Sequence, residues 1–312
     1  MSDRDRLSHL EDQMPDLAAP HPQSKTRALG KGGPQVSALG VGTNKWKQGT
    51  NDASVFETYR ACQDGGITFF DTAEVYGFGK SERLLGECLR RDGRPATIAT
   101  KFAPFFFRSS PRHLLKALDG SLKRLGVATI DLYFIHFPQF GDHLELADAM
   151  AEAVKAGKVR QVGVSNFSAA QMRRVADRLA RANVQLAANQ VHYSLLHRNP
   201  ESNGVLEACR EIGATLVAFF PLARAKLTAA SGGTNSRQQA LQDLLARVAA
   251  AHNATPGQVA LNWLLARDPC VIPIPGASHA GNAKQNLGAL DWTISAEEFT
   301  AIDVASTKGA SS

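Results

Sequence analysis

Apolar runs recur along this chain at a near-regular interval of roughly 30 residues. Eight of them have the length of strands: 39–44 (LGVGTN), 68–73 (TFFDTA), 97–102 (TIATKF), 130–136 (IDLYFIH), 159–165 (VRQVGVS), 186–191 (LAANQV), 215–220 (TLVAFF) and 270–275 (CVIPIP). Between them lie amphipathic stretches of helical period, such as 112–125 (RHLLKALDGSLKRL) and 238–251. Strands that alternate with helices predict a parallel sheet. Eight such units in one run, with no break in composition, predict an α/β fold of the (β/α)8 TIM barrel type. "RALGKGGPQVSAL" (27–39) predicts a β-hairpin ahead of the first barrel strand. The last interval is longer, which leaves room for a loop at 223–236 and an extra helix, and a closing helix fits 295–305. The first 25 residues are polar and rich in acids, and predict a mobile tail outside the core. Residues 26–312 then form a single barrel domain.

A doubly wound sheet is the alternative architecture, and it calls for GxGxxG after its first strand. Gly40 and Gly42, and Gly77 and Gly79, each lack the third glycine. The dinucleotide fingerprint of that fold is therefore absent, which excludes only that way of holding a dinucleotide.

Composition narrows the function classes. The 312 residues are 44% hydrophobic, enough for a large core. The net charge of +6 and an isoelectric point of about 9.2 are compatible with nucleic-acid binding, but the charge is scattered. The densest patch, Arg173, Arg174, Arg178 and Arg181, has helix-like spacing and no interleaved aromatics, so it reads as a solvated helix face. Cys62, Cys88, Cys209 and Cys270 form no CxxC pair and have no His-rich neighbourhood. They read as reduced, mostly buried thiols of a cytoplasmic protein, and zinc is disfavoured. No apolar run approaches the roughly 18 residues that span a membrane. The N-terminus has no apolar signal region and is too acidic for an organelle transit peptide.

In barrels of this type the active site lies at the C-terminal ends of the strands. Asp71, Lys101 and His136 stand at the ends of strand-like runs two, three and four, so they must point near one another. Tyr76 follows Asp71 closely, in "FFDTAEVYGFGKSE". A phenol is a poor acid at neutral pH, and a nearby ammonium lowers its pKa by favouring the phenolate. A carboxylate paired with the ammonium keeps the lysine charged. Tyr76, Lys101 and Asp71 thus read as a tuned proton donor, and His136 as a group that orients a substrate oxygen. Such a donor suits a carbonyl oxygen on which charge develops as hydride reaches the carbon. Hydride needs a carrier that no side chain provides. Ser165, Asn166 and Gln190 offer groups suited to a carboxamide, and Phe219 offers a flat face. Taken alone, Ser165 and Asn166 read better as helix caps and Phe219 as core. A metal-dependent hydrolase on the same barrel would need HxH at strand ends, and only His136 stands at one.

These motifs resemble the aldo-keto reductase superfamily over about residues 27–305. The stretches that carry the resemblance are "GITFFDTAEVYGFGKSERLLGECL", "ATKF", "IDLYFIH", "VGVSNFS", "NQVHYSLLHRNPE", "TPGQVALNWLL" and "VIPIPGA". "FAPFFFR" and the Ile-Pro-Gly ending are most similar to the plastid and cyanobacterial type. The resemblance implies a (β/α)8 barrel that binds NADPH, with NADH possible, in extended form at the C-terminal rim. It implies a tetrad of Asp71, Tyr76, Lys101 and His136 in which Tyr76 is the general acid. It places Ser165, Asn166 and Gln190 on the nicotinamide carboxamide and Phe219 where the family usually stacks a Tyr on the nicotinamide. Leu222 and Arg224 fall on the pyrophosphate strap and Gly276 at the end of the last strand, with Asn282, Lys284 and Asn286 on the adenine side.

Three departures stand out. Phe220 replaces a usual Ser, "ARAK" replaces a glycine-containing loop, and Ser278 stands where an Arg or Lys often grips the 2′-phosphate. Arg224 and Lys226 are both candidates for the pyrophosphate, and Ser278 at a helix start could hold a phosphate through backbone N–H groups. Trp46, Phe105, Phe106, Phe107, Phe137 and Phe140 fall on or near rim loops, and Trp46, Phe105 and Phe137 are the expected substrate contacts. The short tail past 305 implies an open pocket. The open, apolar pocket suits aldehydes of mixed size, and the expected activity is NAD(P)H-dependent reduction of aldehydes and ketones to alcohols by a monomer or weak homo-oligomer, with no nucleic-acid or membrane partner. The alternative is a low-turnover NADPH-binding redox sensor on the same barrel.

Overall fold

The structure, a computed structural model, describes residues 21, 23–46, 51–105, 107–138, 144–227 and 236–307. Phe106, Phe140, most of the 223–236 loop, nearly all of the N-terminal tail and the last five residues lie outside the described residues. Thr26–Ala28 (β1) and Gln35–Ser37 (β2) pair antiparallel as the expected hairpin. The barrel strands follow in chain order: Val41–Gly42 (β3), Phe69–Asp71 (β4), Thr97–Phe102 (β5), Ile130–Ile135 (β6), Val159–Ser165 (β7), Leu186–His192 (β8), Thr215–Phe219 (β9) and Val271–Pro273 (β10). Every neighbouring pair from β3 to β10 is parallel. The sheet closes on itself where Gly40 N–H donates to Pro273 O (2.9 Å) and Gly42 N–H to Pro275 O (3.2 Å). This is the (β/α)8 barrel that the pattern predicts. The extra helix is Pro256–Arg267 and the closing helix is Ala296–Ser306.

Strand periodicity sorts the side chains into two layers, because successive residues point to opposite faces. Phe70, Ile98, Phe102, Tyr133 and Ile135 face outward and pack against the helices. Phe69, Ala99, Leu132, Phe134, Ala188, Val217, Ile272 and Ile274 face inward and fill the barrel as one apolar cluster. Leu29 and Val36 of the hairpin join that cluster and plug the N-terminal end. The hairpin is pinned there by Gly30 N–H on Thr215 Oγ1 (2.8 Å) and by the buried Arg27 guanidinium, which donates to the carbonyls of Leu265, Asp268 and Val271. The chain is already attached at His21, whose N–H donates to Ala266 O at 2.8 Å, and at Gln23, whose amide reaches Asn262 Oδ1 at 2.6 Å. Attachment thus begins earlier than composition suggests, through backbone and amide hydrogen bonds that leave no hydrophobic signature.

The basic stretch lies on the helix Ala169–Ala180, where Arg173 pairs with Glu211 and Arg178 with Asp148, all of them well exposed. Among the described residues no helix is long and apolar enough to cross a membrane.

Inside the barrel there is little slack at Gly163. A Cβ built there would meet Phe134 ring carbons at 2.5 and 2.7 Å and Ala188 O at 3.0 Å. Gly163→Ala should therefore overpack the interior and destabilise the fold by about 1–3 kcal/mol, read as a lower midpoint in urea unfolding. An unchanged midpoint would mean that the inner layer has room to relax.

Candidate active site

The rim site is the inward face of the barrel continued by one step. On β4 the inward positions are 69 and 71, on β5 they are 99 and 101, and past the end of β6 they are 132, 134 and 136. The same alternation lifts Ser165 above Gly163, Gln190 above Ala188 and Phe219 above Val217. Polar side chains thus begin where the apolar filling stops, and they share one mouth because all eight strands run the same way.

At its centre Lys101 has no exposed surface and Asp71 almost none. The Lys101 ammonium donates to both carboxylate oxygens of Asp71 (2.7 Å each) and to Thr72 O (2.6 Å). Gln190 Nε2 adds a hydrogen bond to Asp71 Oδ1 at 2.7 Å. Burial opposes the lysine's charge, but the Asp71 carboxylate, the Tyr76 phenol and their hydrogen bonds outweigh it, so Lys101 is held above its ordinary value.

Tyr76 sits over this pair, its ring centroid 5.2 Å from Lys101 Nζ and 5.9 Å from the His136 ring, edge to face. The turn that carries it needs left-handed backbone at Gly77, Phe78 and Gly79. Gly79 is required twice over, since a Cβ there would meet Arg124 Cδ at 2.6 Å. The phenol departs from expectation in sign. Burial raises its pKa above the ordinary value, and the Lys101 ammonium and hydrogen bond only partly offset that. The free site therefore holds Tyr76 as the protonated phenol. Burial, reinforced by Lys101, pushes His136 down to about 3, so its imidazole is neutral at physiological pH. Its Nδ1 is buried without a protein partner.

These groups open into a cavity of about 770 Å³. Asp71, Tyr76 and His136 line it, and Lys101 lies beneath them. Ser165, Asn166, Gln190 and Phe219 line the same cavity beside the tetrad, and Leu222, Arg224, Gly276, Ser278, Asn282 and Asn286 line its far arm. The structure thus brings these ten expected cofactor-side residues together. Ser165 and Asn166 are not helix caps, because Ser168 caps the following helix. Asn166 adopts a left-handed conformation (φ 63°) and donates to His136 O at 3.2 Å. Behind Phe219, the His192 ring stacks at 5.6 Å and the His197 ring stacks on His192 at 4.0 Å. Arg224 lies over the Phe220 ring at 4.7 Å, inside a left-handed run Ala223–Arg224–Ala225 that contains no glycine. Lys226 and Lys284 are exposed and outside the cavity. Ser278 Oγ and Asn282 Oδ1 are 2.8 Å apart, and Asn286 Nδ2 donates to Gly276 O at 3.4 Å. The four donors Ser165, Asn166, Gln190 and Asn286, the ring of Phe219 and the open backbone at Gly276, where a Cβ would touch only Gly42 O at 3.8 Å, fit an extended dinucleotide.

The expected substrate contacts fare differently. Trp46 is a correction: it is fully buried, its indole N–H donates to Ala277 O at 2.7 Å, and it does not line the cavity. A side chain with no exposed surface packs the loop after β3 against the end of the barrel and cannot touch a ligand. Phe105 and Phe137 also fall outside the cavity lining and continue outward from its His136 edge. Residues missing from the sequence reading include Asn44 and Lys45 after β3, and Thr255 and Gln258 at the start of the extra helix. Asn44 carried the strand-end signal used for the other positions. Thr255 and Gln258 form a capping box that marks a helix start but not what that start faces. Among the described residues no group of three His, Cys, Asp or Glu could hold a metal ion.

The comparisons with known proteins agree with this geometry. A family model described as the aldo/keto reductase family matches residues 38–307. Aldo-keto reductase yakc, NADP(+), of Schizosaccharomyces pombe is 36% identical over 265 residues, covering 74% of this chain and 76% of the relative. 6-Dehydroglucose reductase of Novosphingobium aromaticivorans is 34% identical over 297 residues, covering 89% and 94%. The crystal structure of an aldo-keto reductase from Klebsiella pneumoniae in complex with NADPH superposes with a TM-score of 0.77 at 29% identity, covering 90% of this chain and 95% of that one.

Neutral, partly buried imidazoles tie stability to pH. His136 is held at about 3 and His192 at about 4, both by burial first, against an ordinary value of 6.5. Below pH 6.5 the unfolded chain binds protons that the folded one refuses, so stability present at neutral pH is lost as pH falls toward these values. His136→Asn should flatten the fall in unfolding free energy between pH 6.5 and 4 by close to one proton's worth of slope. An unaltered slope would show that His136 titrates freely in the folded protein.

Proposed function

Because the chain belongs to the aldo/keto reductase family, we propose that it reduces aldehydes and ketones to alcohols with hydride from NADPH, Tyr76 acting as general acid. The observation that carries this reading is the fully buried Lys101, locked on Asp71 directly beneath the Tyr76 phenol at the mouth of a long cavity. Bound in this cavity, NADPH would supply the hydride for the carbonyl carbon. Tyr76 would give its proton to the carbonyl oxygen as the C=O π pair moves onto it. The free phenol's raised pKa keeps this proton in place until it is needed. Lys101, kept charged by Asp71, stabilises the phenolate that remains, and so acts when the charge appears. The neutral His136 imidazole offers one ring N–H to the same oxygen and fixes the carbonyl's direction. Run backwards, the same residues take a proton from an alcohol.

NADPH is favoured over NADH by the relatives, one named for NADP(+) and one crystallised with NADPH. Ser165, Asn166 and Gln190 would hold the carboxamide, although one amide hydrogen of Gln190 is committed to Asp71. Phe219 would carry the nicotinamide ring, and Arg224, Gly276, Ser278, Asn282 and Asn286 the rest of the dinucleotide. The four cysteines are unpaired, which fits a reducing compartment such as the cytoplasm.

Tyr76→Phe tests the assignment. Carbonyl-dependent NADPH oxidation should fall by at least about 100-fold while the NADPH dissociation constant stays within about a factor of two. Wild-type turnover in the variant would remove Tyr76 from the mechanism. In the unmodified protein, tight NADPH binding with no turnover across a carbonyl panel would favour the low-turnover sensor instead.

A further inference from the structure

Glu74 stands two residues before Tyr76 on the same turn, and its carboxylate is spent entirely on a neighbouring segment. Oε1 accepts from Ala103 N–H at 2.8 Å and from Arg108 Nη1 at 2.7 Å, and Oε2 accepts from Arg108 Nη2 at 2.7 Å. Arg108 Nη1 also reaches Ala103 O at 3.2 Å, and Arg108 N–H donates to Phe105 O at 2.7 Å, so Arg108 is tied back to both Ala103 and Phe105. The Arg108 guanidinium lies 4.8 Å above the Phe102 ring, next in chain to Lys101. The pair is bidentate and partly sheltered, with side chains 10% and 26% exposed, unlike the open surface pairs.

Phe105 and Phe107, beside this pair, extend an aromatic row that starts at Phe137 after β6. Phe137 meets the His136 ring at 5.7 Å, Phe105 meets Phe137 at 5.8 Å, and Phe107 stacks on Phe105 at 6.3 Å with 17° between planes. Phe105 is 40% exposed and Phe107 81%, so their faces are open to solvent. The row runs outward from the His136 edge of the cavity. A carbonyl held at Tyr76 and His136 would direct its body either into the cofactor arm or along this row.

We propose that Glu74 and Arg108 are positioning residues that hold Phe105 and Phe107 in place relative to the Tyr76 turn, and that the row so fixed selects flat aryl carbonyls over short aliphatic ones. This rests on the carbonyl-reductase reading. A flat aryl group gains ring contacts on Phe105 and Phe137 only if the row keeps its distance from the proton donor. A short aliphatic carbonyl does not reach the row. The pair therefore acts on discrimination, and the chemistry itself stays with Tyr76.

The test is the ratio of kcat/KM for benzaldehyde to that for propanal, together with amide hydrogen exchange. Glu74→Gln keeps an acceptor for Ala103 N–H but loses the ion pair, and Arg108→Lys keeps the charge but loses the fork. Each should lower the aryl-to-aliphatic ratio roughly tenfold, mostly through KM for benzaldehyde. The double variant should be no worse than either single one, as expected for a shared interaction. Phe107→Ala should lower the ratio without touching the Tyr76 turn. An unchanged ratio in Glu74→Gln and Arg108→Lys, even if both substrates slow together, would overturn the proposal and leave the pair a purely structural role. Failure of the reductase reading shows separately, as unmodified protein that turns over neither aldehyde. In that case Glu74→Gln should still speed exchange at Ala103, Arg108 and Tyr76 N–H, and unchanged exchange would overturn the lock itself.

Discussion

The site is organised around one cost, that of keeping an ammonium charged where water does not reach. Lys101 has no exposed surface, and an isolated charge there would lose its proton. Three acceptors prevent this, two on Asp71 and one on Thr72 O, and together they fix the end of β4 against the end of β5. Gln190 then ties Asp71 to β8 across the barrel mouth. The tetrad geometry is thus a by-product of satisfying a single buried cation. Its chemistry follows from the same arrangement: the carboxylate keeps the ammonium, and the ammonium can stabilise a phenolate, though in the free site burial keeps Tyr76 protonated.

Much of this was legible before any coordinates, because it rests on two periodicities. The strand–helix alternation encodes the barrel, and the strand ends place Asp71, Lys101 and His136 on one rim. Ser165, Gln190 and Phe219 reach the cavity for the same reason, whereas Leu222, Arg224, Ser278, Asn282 and Asn286, on the loops and helix beyond the strands, were placed by the family resemblance and line it as well. What escaped the sequence lies in contacts between distant segments. Trp46 sits on a loop that looks like rim but is buried against Ala277. Thr255 and Gln258 announce a helix start and say nothing about facing the cavity. The sign of the Tyr76 shift was also hidden, since it is a contest between burial and a neighbouring cation. Identity of the groups predicts the second effect, and only depth decides the first.

The turn around Tyr76 is held from several sides. Gly77 and Gly79 let it bend, Arg124 fills the space where a side chain at Gly79 would stand, and Arg124 in turn pairs with the fully buried Glu82. Glu82 also accepts from Thr100 Oγ1 at 2.6 Å, one residue before Lys101. The outward face of β5 therefore supports the same turn whose inward face meets the lysine. The stretch "FFDTAEVYGFGKSE" reads as one unit for that reason: its acids, glycines and phenol answer to two layers of one strand.

The depth of these charges divides the molecule by its response to salt. Counterions gather around Arg173–Glu211 and Arg178–Asp148, whose side chains are roughly 40–50% exposed, and weaken them within a screening length of about 10 Å at 0.1 M. Asp71 and Lys101, 3% and 0% exposed, are screened far less. Ionic strength therefore acts on the surface pairs and on how a charged ligand approaches this basic protein, and much less on the buried Asp71–Lys101 pair.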